Sequence, residues 1–156
     1  MRLQYELKFI DYFCFNAVHQ FLLVTVQAMY LGSAIALFIA FQDMGPLVAL
    51  VVALVAYLAL WAIQLLANIF MLYSRKNKAL LTTHIVEIQD DAFYEENPYG
   101  KSYCYWPGIA KTVGRPGFVA VYISAHFAHI IPSRAFVSKH QRNEFLTLMR
   151  RKQNAV

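Results

Sequence analysis

A chain of 156 residues has room for one compact domain, but 59% hydrophobic residues against 15% charged excludes both an ordinary soluble domain and a disordered one. The formal net charge of +5 comes without a nucleic-acid recognition motif, and the aromatic residues fall at core positions, so no nucleic-acid partner is expected. Cys14 and Cys104 are too few for a disulfide framework and read as two thiols in a reducing compartment.

The chain opens with Leu3, Tyr5, Leu7 and Phe9 alternating with Arg2, Gln4, Glu6 and Lys8, the period of a strand buried on one face. An isolated strand leaves its hydrogen-bonding edge bare, so it is expected to join a sheet made by the C-terminal segment. A helix is expected to begin at DYFCFNAVHQ, with Asp11 as its cap. Tyr12, Phe13 and Phe15 then lie where aromatic rings favour a membrane interface, and His19 reads as an interfacial polar residue. Residues 1–20 form this first segment.

Residues 21–41 and 47–70 hold no Asp, Glu, Lys or Arg. Each run supplies the ~20 apolar residues that cross a hydrocarbon core. The linker QDMGP, Gln42 to Pro46, is too short to cross anything, so residues 21–73 are expected to form an antiparallel transmembrane hairpin. Arg75, Lys76 and Lys78 follow the second run and Arg2 and Lys8 precede the first, whereas the turn carries only Asp43. The positive-inside rule therefore places both termini in the cytoplasm of a bacterial inner membrane. Gly32, Ala36 and Ala40 on the first helix, with Ala49 and Ala53 on the second, recur at the four-residue spacing that lets membrane helices approach. These faces are expected to pack the hairpin and offer a surface for a homo-oligomer, with Gln27 and Gln64 pairing their amides across the interface. A conduction path is not expected, because the spans hold no Asp, Glu, Lys or Arg.

From residue 74 the pattern changes to short β-rich runs: LLTTHIVEIQ, AFYEEN, KSYCYW, IAKTV, FVAVYIS and AHIIP. Asp90 with Asp91, NPYG at 97–100 and GRPG at 114–117 separate them as turns. No interval is long enough for a crossover helix, so one curled antiparallel sheet is expected. Pro132, with no amide to donate, ends the last strand. Ser138 and Gln141 have the spacing of a capping box, and Phe145, Leu148 and Met149 mark one face of the helix that follows. Phe136 is expected to anchor that helix on the sheet. The fold class is thus α+β: an N-terminal strand, a two-helix transmembrane hairpin, and a cytosolic antiparallel domain over 74–156 closed by a C-terminal helix.

Trp106, Ile109 and Val113, an aromatic strand, the stretch Ile130 to Phe136 and a final helix bearing Phe145 resemble the YcxB-like proteins, as does Tyr5 to Tyr12 at the start. The chain departs from that pattern at Pro107 and Gly108. The resemblance implies a membrane protein with a helical hairpin and a cytosolic domain similar to pleckstrin-homology folds; it implies no reaction.

No catalytic constellation is legible, and no enzyme activity or cofactor is expected. His126 and His129 are three apart, which on a strand sends them to opposite faces, and His84, His140 and Cys104 are scattered, so no metal site is expected. Asp90 with Asp91 and Glu95 with Glu96 read as the solvated rim of a hairpin, and Ser133 lacks a nucleophile elbow. From Arg75 onward there are 12 Lys and Arg against 6 Asp and Glu, charge suited to an anionic membrane surface. The expected role is a membrane-anchored binding or regulatory module, contacting a protein partner or lipid headgroups through Arg75, Lys76, Lys78, Arg134, Arg150, Arg151 and Lys152. The alternative is an immunity protein that neutralises an envelope-acting toxin, and a transporter accessory subunit comes third.

Overall fold

The computed structural model describes residues 1–77, 79–125 and 127–155, with Lys76 described by its backbone alone. Lys78 and His126 lie outside the described residues. The elements run β1 (Arg2–Glu6), α1 (Phe9–Leu22), α2 (Val24–Phe41), α3 (Pro46–Leu72), β2 (Thr83–Ile88), β3 (Ala92–Asn97), β4 (Gly100–Tyr105), β5 (Lys111–Arg115), β6 (Phe118–Tyr122), β7 (Ala128–Pro132) and α4 (Lys139–Asn154). Two compact units result: Met1–Tyr12 with Arg75–Val156, and Phe13–Ser74. The chain is α+β, with two apolar helices and antiparallel sheets.

In the helical unit, α1 ends at Leu22, and Leu23 turns extended (φ −82°, ψ 99°) before α2 begins. The first apolar helix therefore starts three residues later than the run without charges. The helical segments Val24–Met44 and Pro46–Leu72 are long and apolar enough to cross a membrane. Gly45, at φ 106°, makes the reversal that a Cβ would strain, and Pro46 starts α3 with its φ already helical.

The face that packs the hairpin differs in part from the expected one. Ala49 and Ala53 are buried, but Gly32, Ala36 and Ala40 are exposed, and a Cβ added at Gly32 would meet nothing within 4 Å. On α2 the covered stripe is Gln27, Tyr30, Ala34, Leu37 and Phe41, at helical spacing. Large side chains of α2 thus oppose small ones of α3. Polar contacts fix this rotation: Tyr57 OH donates to Gln27 Oε1 at 2.7 Å, Gln27 Nε2 to the Gln20 carbonyl at 3.1 Å, and Gln20 Nε2 to Tyr30 OH at 3.3 Å. The Tyr30 and Tyr57 rings meet edge to face, 6.3 Å apart. Gln27 consequently does not pair with Gln64, which is exposed.

In the β unit the N-terminal strand joins the sheet of the later segment: β1 pairs antiparallel with β2, Leu3 opposite Val86 and Tyr5 opposite His84. The order β1-β2-β3-β4 forms one sheet and β5-β6-β7 a second, in place of the single sheet expected. The break falls at Trp106–Gly108, a single 3₁₀ turn containing Pro107 that separates β4 from β5. Trp106 Nε1 donates to the Asp90 carbonyl at 2.8 Å and holds that turn down.

Helix α4 packs on β5 and on the Trp106 turn, but it does not close the sheets. Ser138 Oγ accepts the Gln141 amide at 3.1 Å. Gln141 Oε1 accepts from Val137 N at 2.7 Å, one residue before the amide a regular capping box engages. Phe145 and Met149 are wholly buried, and each contributes ~1.5–3 kcal/mol through the apolar surface removed from water. Phe136 is buried against Phe145, rings 5.5 Å apart.

Candidate functional site

The most chemically unusual place in the β unit is Glu95. On β3 it has the same parity as Phe93, and so points inward, where its side chain is only 12% exposed. Two histidines hold it. His84 Nδ1 lies 2.9 Å from Glu95 Oε1, and His129 Nδ1 engages Oε2. His84 Nε2 is 3.0 Å from the Leu80 carbonyl. Both His84 nitrogens therefore face oxygen acceptors, and beside an ionised Glu95 both must carry protons, making the ring a cation. Burial works to lower the His84 pKa, but the hydrogen bonds to Glu95 and Leu80 and the carboxylate charge outweigh it and raise it above the usual 6.5. Burial likewise works to raise Glu95, yet the hydrogen bonds from His129 and His84 hold it down to about 2.

Around this centre, Tyr5 stacks on His84 with ring centroids 5.7 Å apart. Its phenol is pushed well above its usual value by burial and then by the Glu95 charge. Phe93 packs against His129 at 5.6 Å, and Cys104 Sγ lies 3.8 Å from His129 Nε2. Desolvation raises the Cys104 pKa, which favours the thiol over a reactive thiolate. A cavity of about 210 Å³ opens beside the centre, lined by Leu7, Leu80, Glu95, Phe127, His129 and Ile130 among others. Among the described residues, no three His, Cys, Asp or Glu side chains are placed to hold a metal ion. The arrangement is a buried cross-tie: β2, β3 and β7 meet at one carboxylate, and β1 adds Tyr5 behind His84.

A second feature has opposite character. Between the β5–β6 turn and the start of α4 lies an open cavity of about 630 Å³, lined by Arg115, Gly117, Ser133, Lys139, Arg142 and Asn143 among others. Arg142 Nη2 donates to the Arg115 carbonyl at 2.8 Å and the Phe118 carbonyl at 3.3 Å, clamping the hairpin to the helix. Its Nε is buried without a partner. Gly114 lets the two surfaces meet, because a Cβ there would stand 2.8 Å from Leu146 Cδ1.

The charged residues singled out from the sequence do not form one patch of free cations. Arg134 binds the Asp11 carboxylate through both terminal nitrogens, Nη2 reaching Oδ2 at 2.6 Å, and donates to the Glu6 carbonyl at 2.7 Å. It ties the strand-to-α1 corner to the β7–α4 corner. Asp11 also accepts the Lys8 amide at 2.8 Å; it caps α1 from inside its first turn, with Lys8 in the N-cap position where Asp11 was expected. Lys152 pairs with Asp90 at 2.9 Å. Arg75, Arg150 and Arg151 are exposed, and nothing is described of the Lys76 side chain or of Lys78. Glu96 sits at the rim as expected, 3.4 Å from Lys101, whereas Glu95 does not.

These strands and the final helix are also where a comparison with known families finds its match. Residues 88–149 match the YcxB-like protein family. The resemblance read from the sequence is thus shown over this segment, which is consistent with the two apolar helices ahead of it. No curated protein and no solved structure gives a significant match. The YcxB-like segment holds Glu95, Cys104, His129, Arg115 and Arg142, while Tyr5 and His84 lie before it. The carboxylate at the centre therefore takes one of its two histidines from outside the matched segment.

Proposed function

We propose that the chain is a membrane-anchored, non-enzymatic recognition module. In this reading the α2–α3 hairpin spans a bacterial inner membrane with both termini in the cytoplasm, and the β unit serves there as a pleckstrin-homology-like domain that binds a partner protein or lipid headgroups. The hairpin's surface supports anchoring: Val24, Leu47 and Phe70 are each more than 70% exposed, a cost in water and none in lipid. The pairing of β1 with β2 puts the chain on either side of the hairpin into one sheet, as both termini on one side of a bilayer require. Arg75 directly after α3 and the uncharged flank of Asp43 in the turn support the cytoplasmic side.

The observation that carries the recognition role is the open cationic cavity beside α4, since the Glu95 centre is spent on its own internal partners. Purification of the full chain in mild detergent followed by native mass spectrometry tests it. A stoichiometric protein or a retained anionic lipid is expected; a chain that carries neither, from cells and membranes alike, overturns the reading.

A further inference from the structure

We infer that the cavity between the β5–β6 turn and the start of α4 binds a phosphate group, either on a lipid headgroup or free in solution. This names the ligand class for the recognition module and rests on that reading for the existence of a ligand. Three cationic side chains, Arg115, Lys139 and Arg142, line the cavity, and among the described residues none of them pairs with a carboxylate within 4 Å. Elsewhere in the same unit Lys101, Arg134 and Lys152 each have an acidic partner. Among the described residues Arg2, Lys8, Arg75, Lys111, Arg150 and Arg151 also lack a carboxylate within 4 Å, but only Arg115, Lys139 and Arg142 are gathered on one concave wall.

Several of the surrounding groups are hydrogen-bond donors. Arg142 uses Nη2 on two carbonyls and has no carboxylate partner among the described residues; a guanidinium without a counter-anion is suited to an oxyanion. At the start of α4, a helix of 16 residues, the Ser138 hydroxyl occupies the Gln141 amide. The amides of Lys139 and His140 have no acceptor inside the helix, and the helix dipole favours negative charge beside them. Gly117, at φ 89°, forms the opposite wall and presents backbone with no side chain in the way. Ser133 adds a hydroxyl. Donors arriving from a strand end, a turn and a helix suit a tetrahedral anion with several oxygens better than a planar carboxylate, which takes two parallel bonds. A cavity of about 630 Å³ leaves space for the group that the phosphate esterifies. Val137, 94% exposed at the rim, offers apolar contact beside the charge.

The test uses the full chain in nanodiscs of phosphatidylcholine, titrated calorimetrically with inorganic phosphate, and in matched discs containing phosphatidic acid. Saturable phosphate binding is expected, weakened about tenfold or more by Arg115→Gln together with Lys139→Gln. Both side chains are exposed, and unchanged unfolding of the β unit shows that the double variant is folded. Competition by phosphatidic acid assigns the site to a lipid headgroup, and undiminished binding in those discs assigns it to soluble phosphate; both uphold the inference. No saturable binding in phosphatidylcholine discs, or equal binding by the double variant, overturns it. Either failure leaves membrane anchoring and partner binding, which are read by other assays, standing.

Discussion

Replacing Glu95 by Gln removes the one negative charge on which two histidines converge while preserving shape. A carboxyl held from its usual 4.5 down to about 2 corresponds, at about 1.4 kcal/mol per pH unit, to roughly 3 kcal/mol of folding stability at neutral pH. Breaking a buried pair by deleting one partner costs about 3–5 kcal/mol on general grounds, so the two routes agree. At roughly 3 kcal/mol the variant's β unit should unfold at a temperature lower by roughly 12–24 °C, given ~4–8 °C per kcal/mol for a domain of roughly 100 residues.

The pH dependence follows from the two directions. Glu95 is depressed in the fold, so its contribution is full above 4.5 and lost as pH falls toward 2. His84 is raised, so its contribution is full below 6.5 and lost as pH rises through its folded value. Between these limits both act, and stability of the β unit should peak there. The assay is thermal unfolding in detergent from pH 3 to about 9, read by the buried Trp106 in a Trp61→Phe background so that the hairpin is silent. Glu95→Gln should flatten both limbs. A variant within about 0.5 kcal/mol of the parent, with the same pH profile, refutes the assignment of Glu95 as a buried ionised cross-tie.

Three further outcomes are expected. Arg134→Ala removes the clasp on Asp11 and the Glu6 carbonyl; with Arg134 itself partly exposed, the loss should be about 1–2 kcal/mol, seen as faster amide exchange in β1 ahead of the rest of its sheet. Ala49→Leu places a large side chain at a fully buried hairpin contact and should cost about 1–3 kcal/mol in unfolding by denaturing detergent, whereas Ala36→Leu on the exposed face should be near neutral; equal effects would restore the four-residue small-residue face. Gly114→Val should push Leu146 and Arg142 off β5 at a cost of about 1–3 kcal/mol, detected as a lower denaturant midpoint.

The parts legible in the sequence were those governed by local pattern. Two runs without charge marked the apolar helices, and period-two alternation with turn residues located β2 to β7 to within a few residues of their ends. The alternation of Leu3, Tyr5 and Leu7 also pointed to β1 finding a distant sheet, because a strand with one apolar face needs a partner. Register between helices was less accessible: small residues repeat every four positions on an exposed face of α2, and its rotation is set by Tyr30 and Gln27 reaching Gln20 and Tyr57. The division into two sheets falls at the turn containing Pro107, and short β-rich runs separated by turns do not distinguish one sheet from two.

The adjacent pair Glu95 and Glu96 suggests a solvated rim, whereas Glu95 lies inside. Strand parity held the missing signal: Phe93 buried implies Glu95 on the same face. Its histidine partners could not be found by spacing, since His84 and His129 are brought to it by β2 pairing and by the second sheet. The cationic cavity was hidden for a similar reason. Arg115 and Arg142 are 27 residues apart, and only the packing of α4 against β5 brings them together.

In the proposed arrangement α2 and α3, long and apolar enough to cross a membrane, lie in a bilayer with the β unit on its cytoplasmic side. Alkaline carbonate extraction of membranes, combined with impermeant maleimide labelling of Asp43→Cys or of a cysteine placed after residue 155 in an otherwise cysteine-free chain, tests it most directly. The chain should stay in the membrane pellet until detergent is added, and intact cells should label the turn but not the C-terminal end. Release into the aqueous supernatant, or labelling of the C-terminal cysteine from outside, would contradict it.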